Sequence, residues 1–257
     1  MLAFAEYGHG SPVVLLHGLL GSKINLAGIA RTLAGRFHTY IVDMRNHGES
    51  FHHGSMTYKT MAADLGGFLD DHDIDKAAIV GHSMGGKCAM QFALSFPERV
   101  DKLAVIDIAP RQYQNPVWAG YLKAMLSLKI AELGSRKEAD QILAAAIPDT
   151  VYRQFLLSNL VSGQGSGFEW KPNLEAILEA APHICAAVSG PANSLQTLFI
   201  KGGNSTYIED IDKDLIRELF PNSRFVTVPG VGHLVHIEAR DQLQQILCDF
   251  LEKDGKA

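Results

Sequence analysis

One serine stands between two glycines at the end of an apolar run, in the Gly-His-Ser-Met-Gly sequence of residues 81 to 85. The run 77–80 before it is typical of a strand, and residues 87–96 after it predict a helix. Glycines permit a turn sharp enough to present the Ser83 hydroxyl at the strand end, and the helix N–H groups favour negative charge that develops there. The pattern indicates a serine nucleophile for acyl transfer.

A serine at neutral pH needs a general base, and eleven histidines offer one. His233 is the best placed, because it ends the glycine-rich loop 229–233 between a strand-like segment, 224–228, and a helix-like segment, 239–251. His236 is its local competitor, and we favour His233.

The acid that orients the base is predicted to be Asp107. It ends the apolar run 103–106, which follows the nucleophile helix. A carboxylate in so apolar a segment needs a hydrogen-bonding partner. Asp210 and Asp212 remain alternatives, and Glu209 is a weaker one.

Two further segments complete a family resemblance. The strand-like run 13–16 ends in His-Gly-Leu-Leu-Gly-Ser, residues 17 to 22, and residues 43 to 50 have the pattern D-x-R-x-x-G-x-S. With the serine turn, these motifs resemble the α/β-hydrolase family along the whole chain. The resemblance implies that the backbone N–H groups of Leu19 and Met84 form an oxyanion hole. It also implies scaffolding roles for His17, Asp43 and Arg45.

The acid departs from the commonest pattern of that family. Many members carry it after a later strand, but here residues 195–200 run into Lys-Gly-Gly-Asn-Ser, which has no carboxylate. Three short segments, 107–110, 168–170 and 202–205, narrow the resemblance to small bacterial esterases of the YbfF type. That resemblance implies an acid after the earlier strand, which supports Asp107.

The order of elements predicts an α/β fold, a mostly parallel central sheet flanked by helices. Helical patterns separate the strand-like runs, and such alternation gives parallel strands with crossover helices. Between 111 and 189 the strand signal disappears, so we expect a helical cap there, inserted into a core of residues 1–110 and 190–257. Strands are expected at 13–16, 39–42, 77–80, 103–106, 197–200 and 225–228, and cap helices at 121–133, 137–146, 150–160 and 173–181.

The cap is expected to supply an apolar substrate wall above Ser83. The predicted substrate-binding residues are Trp118, Tyr121, Met125, Phe155 and Trp170. Apolar residues at helical spacing also bury a helix against its core, so that alternative stays open for each of them. Lys87 and Arg111 could approach a carboxylate or phosphate of a substrate, but no arginine cluster is present. We therefore favour short to medium acyl esters or thioesters over strongly anionic substrates.

Composition limits the remaining functions. The 257 residues are 47% hydrophobic, which suffices for one substantial core, and the net charge of -5 gives no electrostatic support for nucleic-acid binding. Three scattered cysteines indicate neither a disulfide framework nor a zinc site. No apolar run is long enough to span a membrane, so we expect a cytoplasmic protein without integral membrane association. Nothing requires a metal or cofactor, and the oligomeric state stays open.

The sequence therefore predicts a serine hydrolase that cleaves short to medium acyl esters or thioesters through Ser83, His233 and Asp107. Dehalogenases and epoxide hydrolases of this fold need a carboxylate nucleophile, which Ser83 is not. Carbon–carbon bond hydrolases or lyases of the same fold remain the nearest alternative, and a triad-retaining ligand sensor is a more distant one.

Overall fold

A computed structural model describes residues 1–114, 116–163 and 167–252 of the chain. Seven strands form one sheet in the order β1-β3-β2-β4-β5-β8-β9, in which only β1 is antiparallel to its neighbour. The mostly parallel sheet predicted from the sequence is confirmed. The strands are β1 Phe4–Tyr7, β2 Pro12–Leu16, β3 His38–Val42, β4 Ala77–His82, β5 Val100–Ile106, β6 Leu160–Ser162, β7 Phe168–Trp170, β8 Thr197–Gly202 and β9 Ser223–Val228.

Helices cover both faces of this sheet. Alternate residues of β2 show the division: Val14 and Leu16 join the apolar cluster that contains α2 and α3, while Val13 and Leu15 join the cluster that contains α1 and α11. Strands buried on both faces are apolar throughout, which is why they read as continuous runs. The helices are α1 Lys23–Leu33, α2 Tyr58–Asp71, α3 Met84–Ser95, α4 Val117–Ser127, α5 Arg136–Leu143, α6 Thr150–Leu157, α7 Leu174–Glu179, α8 Ala181–Cys185, α9 Asp212–Leu219, α10 Val235–Glu238 and α11 Arg240–Glu252.

Between β5 and β8 the chain leaves the main sheet and forms α4 to α8. This segment also holds a two-stranded antiparallel sheet, β6 and β7, where no strand was expected. The helix predicted to reach residue 160 ends at Leu157, because Leu160 is buried and pairs with Trp170 across the two strands. The helix predicted over 121–133 ends at Ser127, and a 3-10 turn, Ile130–Glu132, follows it. The cap boundaries at 111 and 189 stay a prediction.

Strand β1 was not predicted. It lies at the edge of the sheet, antiparallel to β3, with Phe4 opposite Val42 and Tyr7 opposite Thr39. Because β1 has only four residues, its pattern of apolar and polar residues is too short to predict a strand. Among the described helices, none combines the length and the apolar content that crossing a bilayer requires.

Candidate active site

The serine turn is a strained junction between β4 and α3. Ser83 alone separates the two elements and has φ 52° and ψ −117°, in the left-handed region that L-residues rarely adopt. A Cβ atom on Gly85 would lie 2.5 Å from the carbonyl oxygen of Leu16 and 2.6 Å from that of His17. The backbone crossing is therefore possible only with glycine at 85, and it fixes the serine hydroxyl at the carboxyl edge of the sheet.

Ser83, His233 and Asp107 form one hydrogen-bonded chain. The hydroxyl Oγ of Ser83 lies 2.9 Å from Nε2 of His233, and Nδ1 of His233 lies 2.7 Å from Oδ2 of Asp107. The three residues follow β4, β9 and β5, whose carboxyl ends meet at the same sheet edge. This geometry suits a nucleophile, a general base and the acid that orients the base.

The alternative acids, Asp210 and Asp212, and the alternative base, His236, contact other groups. Asp210 is exposed and pairs with Lys213 at 2.7 Å, while Asp212 is buried and lies 2.8 Å from Nε of Arg111. His236 packs its ring 4.5 Å from that of His82, and its Nδ1 has no hydrogen-bond partner among the described residues. Burial lowers the pKa of His236 to about 3, so its ring stays neutral.

Asp107 is completely buried, and three donors satisfy its carboxylate. The N–H of Gly202 donates to Oδ1 at 2.9 Å, and Oδ2 accepts from both His233 and the Ser205 hydroxyl. Ser205 stands in the loop after β8, the same loop in which the sequence lacked the expected carboxylate. The loop thus contributes a hydroxyl donor to an acid that comes from β5.

His233 is held both at its ring and at its backbone. Tyr207 stacks on it with the ring centroids 3.9 Å apart and the planes 22° from parallel. Nε2–H of His82, the variable residue of the serine motif, donates to the backbone carbonyl of His233 at 2.9 Å. Burial lowers the pKa of His82 well below the usual histidine range, so His82 is a neutral donor that fixes the loop.

The loop after β2 brings Leu19 to the same cavity that Met84 lines. The first N–H groups of α3 have no acceptor within the helix, and the Met84 N–H is among them. The loop is held by His47, whose Nε2 accepts from the Leu20 N–H at 3.0 Å, and by the Gly21 N–H, which donates to the Gly18 carbonyl at 2.9 Å. Leu19 and Met84 thus line the same cavity as Ser83, and their role as an oxyanion hole stays a prediction.

His17, Asp43 and Arg45 hold the loops behind the site. Nε2 of His17 accepts from the Met44 N–H at 3.0 Å, and Nδ1–H of the same ring donates to the Gly18 carbonyl at 2.7 Å. Asp43 accepts from Lys23, and Arg45 forms a two-pronged ion pair with Asp64 at 2.5 and 2.7 Å. All three contact structural groups, in keeping with their expected scaffolding roles.

A cavity of about 340 Å³ opens above Ser83, between the sheet edge and the segment that follows β5. Of the five predicted substrate-binding residues, Trp118 and Phe155 line it. Tyr121 packs its ring against that of Tyr152, with the centroids 5.4 Å apart and the planes tilted by 53°, and Tyr152 is a lining residue that the sequence did not single out. Met125 is fully buried in the apolar core, and Trp170 lies in β7. Neither Tyr121, Met125 nor Trp170 is among the described residues that line the cavity.

Lys87 and Arg111 lie on a polar side of this cavity. Arg111 stacks on the ring of Tyr113 at 4.2 Å, and Asp212 and Glu209 balance its charge. Lys87 is buried and donates to two backbone carbonyls.

Sequence reasoning missed Tyr207 and Ser205, and only their place after a strand end could have drawn attention to them. Across the described ranges, no group of three or more His, Cys, Asp or Glu is placed to hold a metal ion.

Sequence comparison decides the family. A family model described as the alpha/beta hydrolase fold matches residues 11–240. The chain belongs to the α/β-hydrolase family. Esterase YbfF of Escherichia coli (strain K12) is 37% identical to this α/β hydrolase over 243 residues, which cover 95% of the chain and 94% of that protein. The sn-1-specific diacylglycerol lipase ABHD11 of Mus musculus is 38% identical over 250 residues, which cover 93% of the chain and 80% of the lipase.

The solved structure of a marine microorganism esterase superposes on the structure of this chain with a TM-score of 0.94. It is 36% identical, and the match covers 97% of this chain and 98% of that one. These similarities confirm the resemblance to YbfF-type esterases. They also identify the α/β hydrolase as an enzyme of the carboxylesterase type.

Proposed function

We propose that this α/β hydrolase cleaves short to medium acyl esters or thioesters through Ser83, His233 and Asp107. The observation that carries the proposal is the hydrogen-bonded chain from Ser83 through His233 to Asp107, of which Ser83 and His233 line a cavity. Its relatives include proteins named esterase and lipase, which cleave the same class of bond.

In the first half of the proposed reaction, Ser83 Oγ attacks the acyl carbonyl carbon while Nε2 of His233 accepts the hydroxyl proton. The Nδ1–H of His233 donates to Asp107, which holds the tautomer whose Nε2 is free to accept. The N–H groups of Leu19 and Met84 stabilise the oxyanion. His233 then returns the proton to the leaving alcohol or thiol, and an acyl-enzyme on Ser83 remains.

In the second half, water attacks the acyl-enzyme and His233 again takes the proton. His233 returns that proton to Ser83 Oγ as the carboxylic acid leaves, so the enzyme is regenerated. Tyr207 and His82 keep the His233 ring and backbone in place through both halves. The cavity volume of about 340 Å³ is at the small end for ligand pockets, which favours short to medium acyl chains.

The test is hydrolysis of p-nitrophenyl esters of increasing acyl length, with fluorophosphonate labelling alongside. Ser83→Ala is expected to abolish labelling and to lower kcat by roughly 10⁶, the loss seen when a triad serine is removed. Ser95→Ala is the matched control, because Ser95 is an exposed serine on the same helix α3. This variant should retain both the labelling and the wild-type kcat.

Two results would contradict the proposal in different ways. Turnover that survives Ser83→Ala would exclude Ser83 as the nucleophile. Labelling that depends on Ser83 without appreciable turnover of any ester or thioester would mean that the substrate class is wrong. The carbon–carbon bond hydrolase and the ligand sensor would then become the leading alternatives.

A further inference from the structure

The chain crosses between the sheet and the segment 111–189 twice, and the two crossings lie side by side. The N–H of Val188 donates to the carbonyl of Pro110 at 2.7 Å, and the N–H of Tyr113 donates to the carbonyl of Cys185 at 2.9 Å. We call residues 110–113 the outgoing crossing and residues 185–188 the returning crossing. Because they bond to each other, they form one joint that carries the whole segment.

Lys87 reaches both crossings from the nucleophile helix. It lies one turn after Ser83 in α3 and is only 1% exposed. Its Nζ donates to the carbonyl of Arg111 at 2.6 Å and to the carbonyl of Ala186 at 2.6 Å. One ammonium group therefore joins α3 to the outgoing and the returning crossing at once.

The described surroundings of Lys87 Nζ provide hydrogen-bond acceptors and ring faces rather than a counter-ion. No carboxylate of the described residues lies within 4.0 Å of its Nζ. The rings of Tyr113 and Tyr58 lie 4.7 and 5.4 Å from it, and the Tyr58 hydroxyl donates to the carbonyl of Ile184 at 2.6 Å. Burial lowers the pKa of Lys87 to about 7. The two carbonyls and two ring faces offset a desolvation cost that the fold would avoid with an apolar residue.

We propose that Lys87 is a positioning residue that fixes the segment 111–189 over Ser83 by holding both crossings to α3. Trp118 and Phe155, on the cavity wall, belong to the segment that this joint carries. The placement of the acyl-binding wall relative to the nucleophile therefore depends on the two hydrogen bonds that Lys87 Nζ donates. The link to substrate binding rests on the function proposed above, whereas the mechanical link does not.

Hydrogen exchange measured by mass spectrometry tests the mechanical link without any turnover. Lys87→Met keeps the length of the side chain and removes its donors. We expect exchange at 110–113 and 185–188 to become at least about tenfold faster, while exchange in β4 and β5 stays unchanged. Lys123→Met, an exposed lysine on α4, is the control and should leave every rate as in the wild type.

A second variant covers the case in which Lys87→Met does not fold. Lys87→Gln keeps two N–H donors without the charge, and we expect exchange at the same two crossings to become at least about threefold faster, since uncharged donors bond more weakly. Unchanged exchange at the crossings in a folded variant would overturn the proposal. So would acceleration that is equal in the crossings and in β4 and β5, because it would mean a general loss of stability.

Kinetics with p-nitrophenyl esters test the link to the wall. A displaced wall should raise KM for octanoate by at least about tenfold more than for acetate, with a smaller change in kcat, since positioning acts on binding of the longer chain. An equal loss for both esters would overturn this link. Failure of the esterase assignment itself would appear as absent turnover in the wild type, which leaves the exchange result intact.

Discussion

At the scale of single residues, the sequence predicted the members of the hydrogen-bonded chain but not their supports. Ser83 and His233 stand in local motifs that can be read from a few neighbouring residues. Ser205 bonds to Asp107 across 98 positions, and Tyr207 stacks on His233, so both depend on how β5, β8 and β9 align. No local pattern carries that information.

Replacement of Ser205 tests whether its hydroxyl supports the acid. In Ser205→Ala the Asp107 carboxylate loses one buried donor, and a hydrogen bond to a charged group contributes about 1.5–3 kcal/mol. We therefore expect kcat for ester hydrolysis to fall by about tenfold to a hundredfold. Asn204→Ala changes the exposed neighbour of Ser205 and is the matched control. Equal kinetics in the two variants would show that the hydroxyl has no catalytic importance.

Asp107 itself should matter more than either alternative acid. Asp107→Asn removes the charge opposite His233 and disturbs its tautomer, a change that lowers kcat by about 10⁴ in a comparable triad. Asp210→Asn and Asp212→Asn should retain activity, because both carboxylates pair with basic side chains away from His233. If only one of those two variants lost activity, the residue replaced in it would be the acid, and the assignment of Asp107 would be wrong.

His236 makes stability depend on pH. Burial lowers its pKa to about 3 in the folded protein, whereas an unfolded histidine has an ordinary pKa of about 6.5. Between these values the unfolded chain binds more protons, so stability is complete above pH 6.5 and is lost as the pH falls. We expect His236→Phe to reduce the slope of unfolding free energy against pH by up to about 1.4 kcal/mol per unit. Urea titrations from pH 7 to 4 measure it, and an unchanged slope would contradict the prediction.

At the scale of elements, local patterns predicted the parallel strands and the helix after Ser83. Both depend on apolar periodicity and on glycines that the sequence shows directly. The two-stranded sheet of β6 and β7 was missed because each strand has three residues, too few for a periodic pattern. Its pairing of Leu160 with Trp170 is a tertiary contact rather than a local preference.

Two glycine-to-alanine changes, one at the serine turn and one on α2, should have opposite effects on the free energy of unfolding. In Gly85→Ala the new methyl group would collide with the carbonyl oxygens of Leu16 and His17, and we expect a loss of about 3 kcal/mol or more in the free energy of unfolding. In Gly67→Ala, on the exposed side of α2, the methyl group meets no atom within 4 Å. Alanine there should add about 0.5–1 kcal/mol. Urea unfolding compares the two, and similar stabilities would refute the steric account.

At the scale of the whole molecule, the sequence predicted a cap segment, but it did not predict which residues of that segment line the cavity. Trp118, Tyr121 and Met125 occupy one helix, yet of these three only Trp118 is among the described residues that line the cavity. Met125 lies in the core, and the Tyr121 ring packs against that of Tyr152. Helical spacing predicts that apolar residues share one face of the helix. It does not predict which of them lie in the core and which line a cavity.

The wall predicts a change in acyl preference. Trp118→Ala removes a large ring from the cavity wall, so we expect the p-nitrophenyl ester with the highest kcat/KM to shift to a longer acyl chain. Trp170→Phe is the matched control, because Trp170 is an aromatic residue of the same segment outside the described lining. A series of esters from acetate to decanoate measures the preference. An identical profile for wild type and Trp118→Ala would exclude the residue from the acyl site.

The position of Asp107 before the inserted segment bears on whether that segment can be replaced by another. His82 and Ile106 are partners in the register of β4 and β5, so Ser83 and Asp107 follow directly from two adjacent strands that both precede residue 111. An acid after β8 would instead have had the whole inserted segment between it and the serine. Here a foreign segment could be grafted between β5 and β8 without separating nucleophile and acid in the chain. His233, and the Gly202 and Ser205 groups that donate to Asp107, would then depend on the graft, through the return of β8 and β9 to the sheet.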